Sequence, residues 1–298
     1  MLNLTVFSLV TLLVLFLGGL SWWYALLFVT PGSSQLYWTP DEYGLTPSEH
    51  TLTTSDGVAI YAWYVPPPPG SDRAIIYLHG QGSNRAHFLP NVPPMYEAGY
   101  GALMIDTRGH GNSEMVKRTM GVAEVADVRA ATEFLLKQPE VNRVGVMGAS
   151  MGASIGMVAA AQIPELEVIV ALSPYSSLVD VVGDRAQEMY SLPPRPTADL
   201  VIWWMNLYTG YNVYASNPQQ AATRISDRPV LVIHGTADPV IPVASVERIQ
   251  AVAGDNFTFW IEEGVGHETD GYTRSQRMDE LIAFVERGFA PGPISQAG

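Results

Sequence analysis

The chain has 298 residues, no cysteine, and 29 acidic against 16 basic side chains, a formal charge of −13. Its length suits one large domain or two small ones. The missing thiols exclude disulfides, zinc–thiolate sites and a cysteine nucleophile, and the acidic balance, with no basic run, excludes electrostatic capture of nucleic acid or anionic headgroups.

The first forty residues contain no Asp, Glu, Lys or Arg. From Leu4 to Val29 they are dominated by Leu, Val, Phe, Trp and Ala, and the run exceeds the roughly 20 apolar residues that cross a bilayer as a helix. This predicts a single-pass transmembrane anchor over residues 1–30. The rival is a cleaved signal peptide, which would carry a basic lead, a shorter apolar core and a small-residue cleavage site. Here the lead is Met1-Leu2-Asn3, and Gly18-Gly19-Leu20-Ser21 runs into Trp22-Trp23-Tyr24, aromatics suited to an interfacial belt. No Lys or Arg precedes Arg73, so the positive-inside rule leaves the side of the membrane unassigned. Residues 31–48, with Pro31, Pro40 and Pro47, read as a linker.

Residues 49–64 alternate about a turn at Asp56-Gly57, which predicts a hairpin, and Pro66-Pro67-Pro68-Pro69 stops further pairing. Strands then read at 74–79, 100–106, 143–148 and 168–173, with helices near 86–98, 122–138 and 151–162. Two further strands come later, one in Pro229 to Asp238 with its turn ending in the aspartate, the other over Asn256 to Ile261. The alternation predicts βαβ units and a mostly parallel central sheet flanked by helices, with functional residues at the strands' carboxyl ends. This predicts one main domain over 49–290, followed by a flexible tail at 291–298. Between Pro174 and Asp227 the chain runs far beyond the roughly 10–12 residues a crossover needs. That excess predicts a helical cap, about 175–226, broken by Pro193-Pro194-Arg195-Pro196. Within it Leu200, Trp203, Trp204, Leu207, Tyr208 and Tyr211 recur at helical spacing. Such a stripe most simply packs the cap onto the core; lining an acyl pocket or facing a bilayer are the alternatives.

Gly148-Ala149-Ser150-Met151-Gly152 joins a buried strand to a small-residue helix, a G-x-S-x-G turn that lifts a serine hydroxyl above the sheet. Serine needs a base to take its proton during attack, and a neutral imidazole suits that task. An aspartate on the other ring nitrogen would fix the tautomer. Asp238 and His267 follow later strands in the order nucleophile, acid, base. Bland readings exist for each: a helix N-cap for Ser150, a turn starter for Asp238, a loop histidine for His267. Asp180 is too far past Pro174 to replace Asp238, and Glu268 and Asp270 lie too close to His267. His79 reads as a brace for the Gly80-Gln81-Gly82 loop, and Asp106 with Arg108 as a loop-bracing pair. His50, His87, His110 and His234 lack metal-ligand spacing, and no Gly-Lys-Ser/Thr follows the glycines, so no metal or cofactor is expected.

These ordered motifs, together with Asp106-Thr107-Arg108-Gly109-His110-Gly111-Asn112-Ser113, resemble the α/β-hydrolases. The resemblance is to the serine-hydrolase branch that includes lysophospholipase-like and prolyl-aminopeptidase-like enzymes, and it spans about residues 50–290. It implies Ser150 as nucleophile, Asp238 as acid and His267 as base, with the backbone amides of Gln81 and Met151 as the oxyanion hole. Ala149 departs mildly from the larger residue often found before the serine. The implied activity is hydrolysis of a carboxylic ester or thioester of a small-molecule or lipid-like acyl group, at a membrane reached through the N-terminal helix. A peptidase or aminopeptidase of the same fold, with Asp184 or Glu188 holding the amine, is an alternative; so are an acyltransferase and a non-catalytic membrane scaffold. Substrate and oligomeric state are not legible.

Overall fold

In the computed structural model, which describes residues 2–32, 34–267 and 269–290, an eight-stranded sheet organises the chain. The strands are β1 (Ser48–Thr53), β2 (Ala59–Val65), β3 (Arg73–Leu78), β4 (Tyr100–Ile105), β5 (Arg143–Ala149), β6 (Leu166–Leu172), β7 (Val230–Gly235) and β8 (Phe257–Glu262). Their order is β1-β2-β4-β3-β5-β6-β7-β8. The hairpin β1–β2 and the pair β2–β4 are antiparallel, and every pairing from β4 through β3 to β8 is parallel.

The helices are α1 (Leu2–Val29), α2 (Val92–Glu97), α3 (Glu124–Leu136), α4 (Met151–Ala160), α5 (Leu178–Tyr190), α6 (Pro194–Thr209), α7 (Pro218–Ala222), α8 (Ala244–Gln250), α9 (Thr269–Gln276) and α10 (Met278–Gly288). Strand residues divide by parity. Ala74, Ile76, Leu78, Val144, Val146, Ile169 and Val232 pack with α3, α4, α8, the cap and the end of α1. Ile75, Tyr77, Met147, Val170, Leu231 and Ile233 pack with α2 and α10 on the opposite face. Both faces are covered, which is why the parallel strands are apolar throughout rather than alternating.

Helix boundaries follow local chemistry. The expected helix near 86–98 is in fact a 3-10 segment, Arg85–Asn91, followed by the short α2. Pro90, Pro93 and Pro94 withhold the N–H groups a continuous helix needs. The cap runs from α5 to α7. Ser177 caps α5 by accepting from Asp180 N–H at 3.1 Å, and the proline run separates Tyr190 from α6. The segment 31–48 is tied down at several points: Gly32 N–H donates to Gly109 O (3.0 Å), and Asn84 Nδ2 donates to Ser34 Oγ and Gln35 O (both 2.8 Å). Residues 291–298, read above as a tail, and Glu268 lie outside the described residues.

Among the described residues one helix, over Val6–Val29, is long and apolar enough to cross a membrane. Its two ends differ. Phe7, Leu9, Leu12, Leu15 and Phe16 are exposed, whereas Ala25 and Val29 are 1% and 0% exposed. The buried end lies against α6: Trp22 meets Trp204 and Tyr208 edge-on at 5.1 and 5.7 Å, and Trp204 Nε1 donates to Ser21 Oγ at 3.2 Å.

Candidate active site

The turn after β5 is shaped by exclusion. A Cβ at Gly148 would strike the backbone of Gly152, and one at Gly152 would strike the Leu78 and His79 carbonyls. No other residue lets β5, β3 and α4 approach so closely. Ser150 is held at φ 55° and ψ −118°, a conformation costing about 1–3 kcal/mol that surrounding structure must enforce. Its N–H donates to Leu172 O at the end of β6 (2.8 Å), and its carbonyl accepts from Ser154 N–H (3.1 Å). Helix α4 begins at Met151, whose N–H has no intrahelical acceptor.

Beside this turn runs the loop after β3. Ser83 N–H donates to Gly80 O at 3.2 Å across a tight turn in which Gly82 has φ 74°. A Cβ on Gly80 would sit 3.5 Å from that of Ser150, which fixes the loop against the serine. His79 braces it from below: Nδ1–H donates to Gly80 O (2.8 Å) and Nε2 accepts from Thr107 N–H (3.1 Å). Burial pushes the His79 imidazole down to about 4, so the ring is neutral at pH 7, as its acceptor role requires. The side chain of Gln81, to which the sequence assigns no role, donates from Nε2 to Leu27 O of α1 at 2.8 Å.

The acid and the imidazole come from the loops after β7 and β8. His267 Nδ1–H donates to Asp238 Oδ2 at 2.7 Å. Asp238 Oδ1 accepts from Val240 and Ile241 N–H at 2.7 and 2.8 Å. Burial raises the carboxyl pKa, but the bonds from His267, Ile241 and Val240 outweigh it and hold Asp238 below the ordinary carboxylate range. His234 stabilises this loop, donating from Nε2 to Ile241 O at 3.0 Å.

Ser150 and His267 line one cavity of about 940 Å³, together with Gly80, Gln81, His87, Arg118 and Asp270. This is the size range of small-molecule sites. A second cavity of about 200 Å³ shares Ser150, Gln81 and Val240 with it and is otherwise lined by Met151, Tyr175, Leu178, Ile241 and other, mostly apolar residues. Unforeseen in the sequence are Trp23, Leu26, Leu27 and Thr30 of the N-terminal segment on the first cavity, and Tyr24 and Phe28 on the second. Their signal was the aromatic run at Trp22-Trp23-Tyr24, which reads equally well as an interfacial belt. Also unforeseen is the pair His87–Asp270 (3.5 Å) on the cavity wall. Burial raises the Asp270 carboxyl, and its bonds with His87 and Gly271 bring it below the usual range.

One expectation is corrected. Asp106 and Arg108 do not pair with each other. Asp106 binds Arg85 (2.6 Å) and accepts from Asn112 N–H (2.8 Å), whereas Arg108 bridges Asp127 and Asp56 (2.7 and 2.6 Å). Each carboxylate or guanidinium is claimed by a partner distant in sequence, Arg85 for Asp106 and Asp127 with Asp56 for Arg108. The cap stripe of two leucines and four aromatics divides, and its favoured reading, packing onto the core, holds for two of the six. Trp204 and Tyr208 pack against α1, Leu200, Trp203, Leu207 and Tyr211 are exposed, and none of the six lines either cavity.

Comparison with known proteins places this architecture. The family model of the prolyl oligopeptidase family (peptidase S9) matches residues 86–291. An uncharacterized protein, Rv2307c, from Mycobacterium tuberculosis is 29% identical over 219 residues, covering 72% of this chain and 70% of its own. The alpha/beta hydrolase domain-containing protein WAV2 of Arabidopsis thaliana is 25% identical over 234 residues, covering 76% and 73%. Among solved structures, the Pyrococcus furiosus esterase Pf2001 superposes with a TM-score of 0.70 at 26% identity, covering 87% of this chain and 98% of that one. The fold is that of the α/β-hydrolases, and with more than half of its length under the family model this chain belongs to the prolyl oligopeptidase family.

Proposed function

We propose that this α/β-hydrolase is a membrane-anchored serine esterase that cleaves a carboxylic ester or thioester through Ser150, His267 and Asp238. The observation that carries the reading is the 2.7 Å bond from His267 Nδ1 to a buried Asp238 carboxylate, with His267 and Ser150 on one cavity. In that tautomer Nε2 is free to act as base. His267 takes the hydroxyl proton as Ser150 Oγ attacks the acyl carbon, and Asp238 stabilises the imidazolium. The backbone N–H groups of Gln81 and Met151 receive the oxyanion. His267 then gives its proton to the departing alkoxide or thiolate, leaving an acyl-serine. Water, deprotonated by the same imidazole, releases the acid and restores the serine.

The esterase Pf2001 supports ester chemistry, and the family name favours a peptidase. Against the second reading, Asp184 is held by Arg248 at 2.5 and 2.9 Å, and neither Asp184 nor Glu188 lines a cavity. Those two acids are therefore poorly placed to hold a substrate amine. The anchor reading is supported by the exposed apolar half of α1, surface that water disfavours.

The test is labelling of the detergent-solubilised full chain with a fluorophosphonate probe, beside turnover of p-nitrophenyl esters and amino-acid arylamides. Probe on Ser150, its loss in Ser150→Ala with the thermal midpoint unchanged, and preference for esters are expected. Turnover in Ser150→Ala should fall by about 10⁵–10⁶-fold. Probe on another residue, or faster arylamide than ester cleavage, would overturn the reading.

A further inference from the structure

Helix α1 does more than reach the domain. Trp23, Leu27 and Thr30 follow one another at steps of four and three, and with Leu26 they wall the larger cavity. Tyr24 and Phe28, four apart and in edge-on contact at 5.3 Å, wall the smaller one. Two adjoining faces of one helix thus border two cavities that share Ser150. The helix is fixed there by bonds from the catalytic domain. Gln81 Nε2 donates to Leu27 O (2.8 Å), Arg118 N–H donates to Val29 O (3.0 Å), and the Arg118 guanidinium donates to Thr30 O. Arg118 places a cation at the negative end of the helix dipole.

Length sets the level at which this happens. The 28 residues of α1 span about 42 Å at 1.5 Å per residue, whereas the hydrocarbon core is about 30 Å thick. If the apolar start of α1 fills that core, the remaining 12 Å or so, about eight residues, emerges into the headgroup layer. Those eight are the docked turns from Trp22 to Val29. Beside them α6 exposes Leu200, Trp203 and Leu207, at spacings of three and four. A helix with such a face lies in the interfacial plane, continuous with the bilayer that holds α1. Ser150 is thereby held near the depth at which lipid ester carbonyls sit. The cavity pairs the apolar wall of α1 with the polar His87 and Asp270.

Resting on the esterase reading above, we infer that the last two turns of α1 are part of the substrate site and that the substrate is a fatty-acyl ester of a lipid, drawn from the leaflet in which α1 is embedded. Hydrolysis breaks the ester C–O bond; water contributes hydroxyl to the acyl carbon and a proton to the lipid alcohol.

The test uses the full chain in phosphatidylcholine vesicles carrying a monoacylglycerol, beside p-nitrophenyl acetate and p-nitrophenyl laurate, with fluorophosphonate labelling of Ser150 reporting an intact site in every variant. The wild type should turn over the monoacylglycerol and favour laurate. Phe28→Trp, which fills the smaller cavity, and Leu27→Asp, which makes the larger wall polar, should each lower the laurate-to-acetate ratio of kcat/KM at least tenfold. Trp203→Glu combined with Leu207→Glu should leave acetate hydrolysis unchanged and slow the vesicle-borne ester at least tenfold. Labelled Ser150 with an unmoved ratio in both α1 variants would overturn this inference alone. So would cleavage of an S-acylated peptide on the same vesicles with the monoacylglycerol untouched. No label on Ser150 and no acetate turnover in the wild type would remove the esterase reading and this inference together.

Discussion

Around Ser150 the chain meets itself backbone to backbone: Gly148 against Gly152, Gly152 against the carbonyls of Leu78 and His79, Gly235 against the Val265 carbonyl. Helix α1, which walls the cavity, is held to α6 away from it through Trp22, Trp204 and Tyr208, large rings at edge-on distances. The floor positions atoms by leaving no room for alternatives. The roof positions its helix by area and shape, which several side-chain sets satisfy. Under the proposed function, chemistry that needs sub-ångström placement would reside on the first and selectivity would be set on the second.

The contrast can be broken at graded sites. On the floor, Asp238→Asn keeps the shape of the His267 contact but presents the wrong tautomer, so kcat/KM should fall by about 10⁴-fold with no change in thermal midpoint; steady-state kinetics on p-nitrophenyl acetate decide it. Gly152→Ala adds one methyl against two carbonyls. It should cost more than about 4 kcal/mol, beyond what most single changes do, and be recovered largely as aggregate; a soluble variant with a wild-type midpoint would show the floor less rigid than described. On the roof, Trp22→Ala removes two aromatic contacts, each contributing about 0.5–1.5 kcal/mol. It should lower the denaturation midpoint in mild detergent modestly and leave Ser150 labelling intact.

The smallest effect is one of pH. Burial holds the His79 and His110 rings down to about 4 and about 2, against about 6.5 in an unfolded chain. Below pH 6.5 the unfolded chain takes up protons that the folded one refuses. The stability these neutral rings contribute is therefore complete above that pH and drains away as pH falls toward their folded values. His110→Gln can still accept the Arg118 bond now made to Nε2 at 2.9 Å, and it removes one titrating ring. Its stability should decline with falling pH less steeply than the wild type's between pH 6 and 4, by up to about 1.4 kcal/mol per pH unit. Identical slopes in chemical denaturation would show that His110 is not excluded from protonation.

This same division explains what could be read from the amino acids. Strands β3 to β7 and the Gly148–Gly152 turn are local patterns: apolar runs bounded by glycine, each interpretable within ten residues. The Asp238–His267 contact joins two loops 29 positions apart, yet strand-then-loop placement was enough to nominate both. Partnerships without local signature were not legible. Asp106 and Arg108 lie two positions apart, and nothing there reveals that Arg85 and Asp127 claim them. Trp22 and Trp204 each carry an apolar label that suits bilayer, core or pocket alike, and only the third dimension assigns them. The helix expected near 86–98 is split into a 3-10 segment and the short α2 for a local reason, its prolines.

The contact between Ser21 and Trp204 closes a loop of 183 positions. During synthesis α1 precedes α6, so the surface that receives its final turns does not exist until α6 has been made. In the interval Ala25 and Val29 have nowhere to pack, and closing so long a chain segment carries an entropic cost that only the finished domain repays. Assembly of this protein therefore ends on a segment made long before its partner, and full protection of the amides near Ser21 from hydrogen exchange should be among the last events of its maturation.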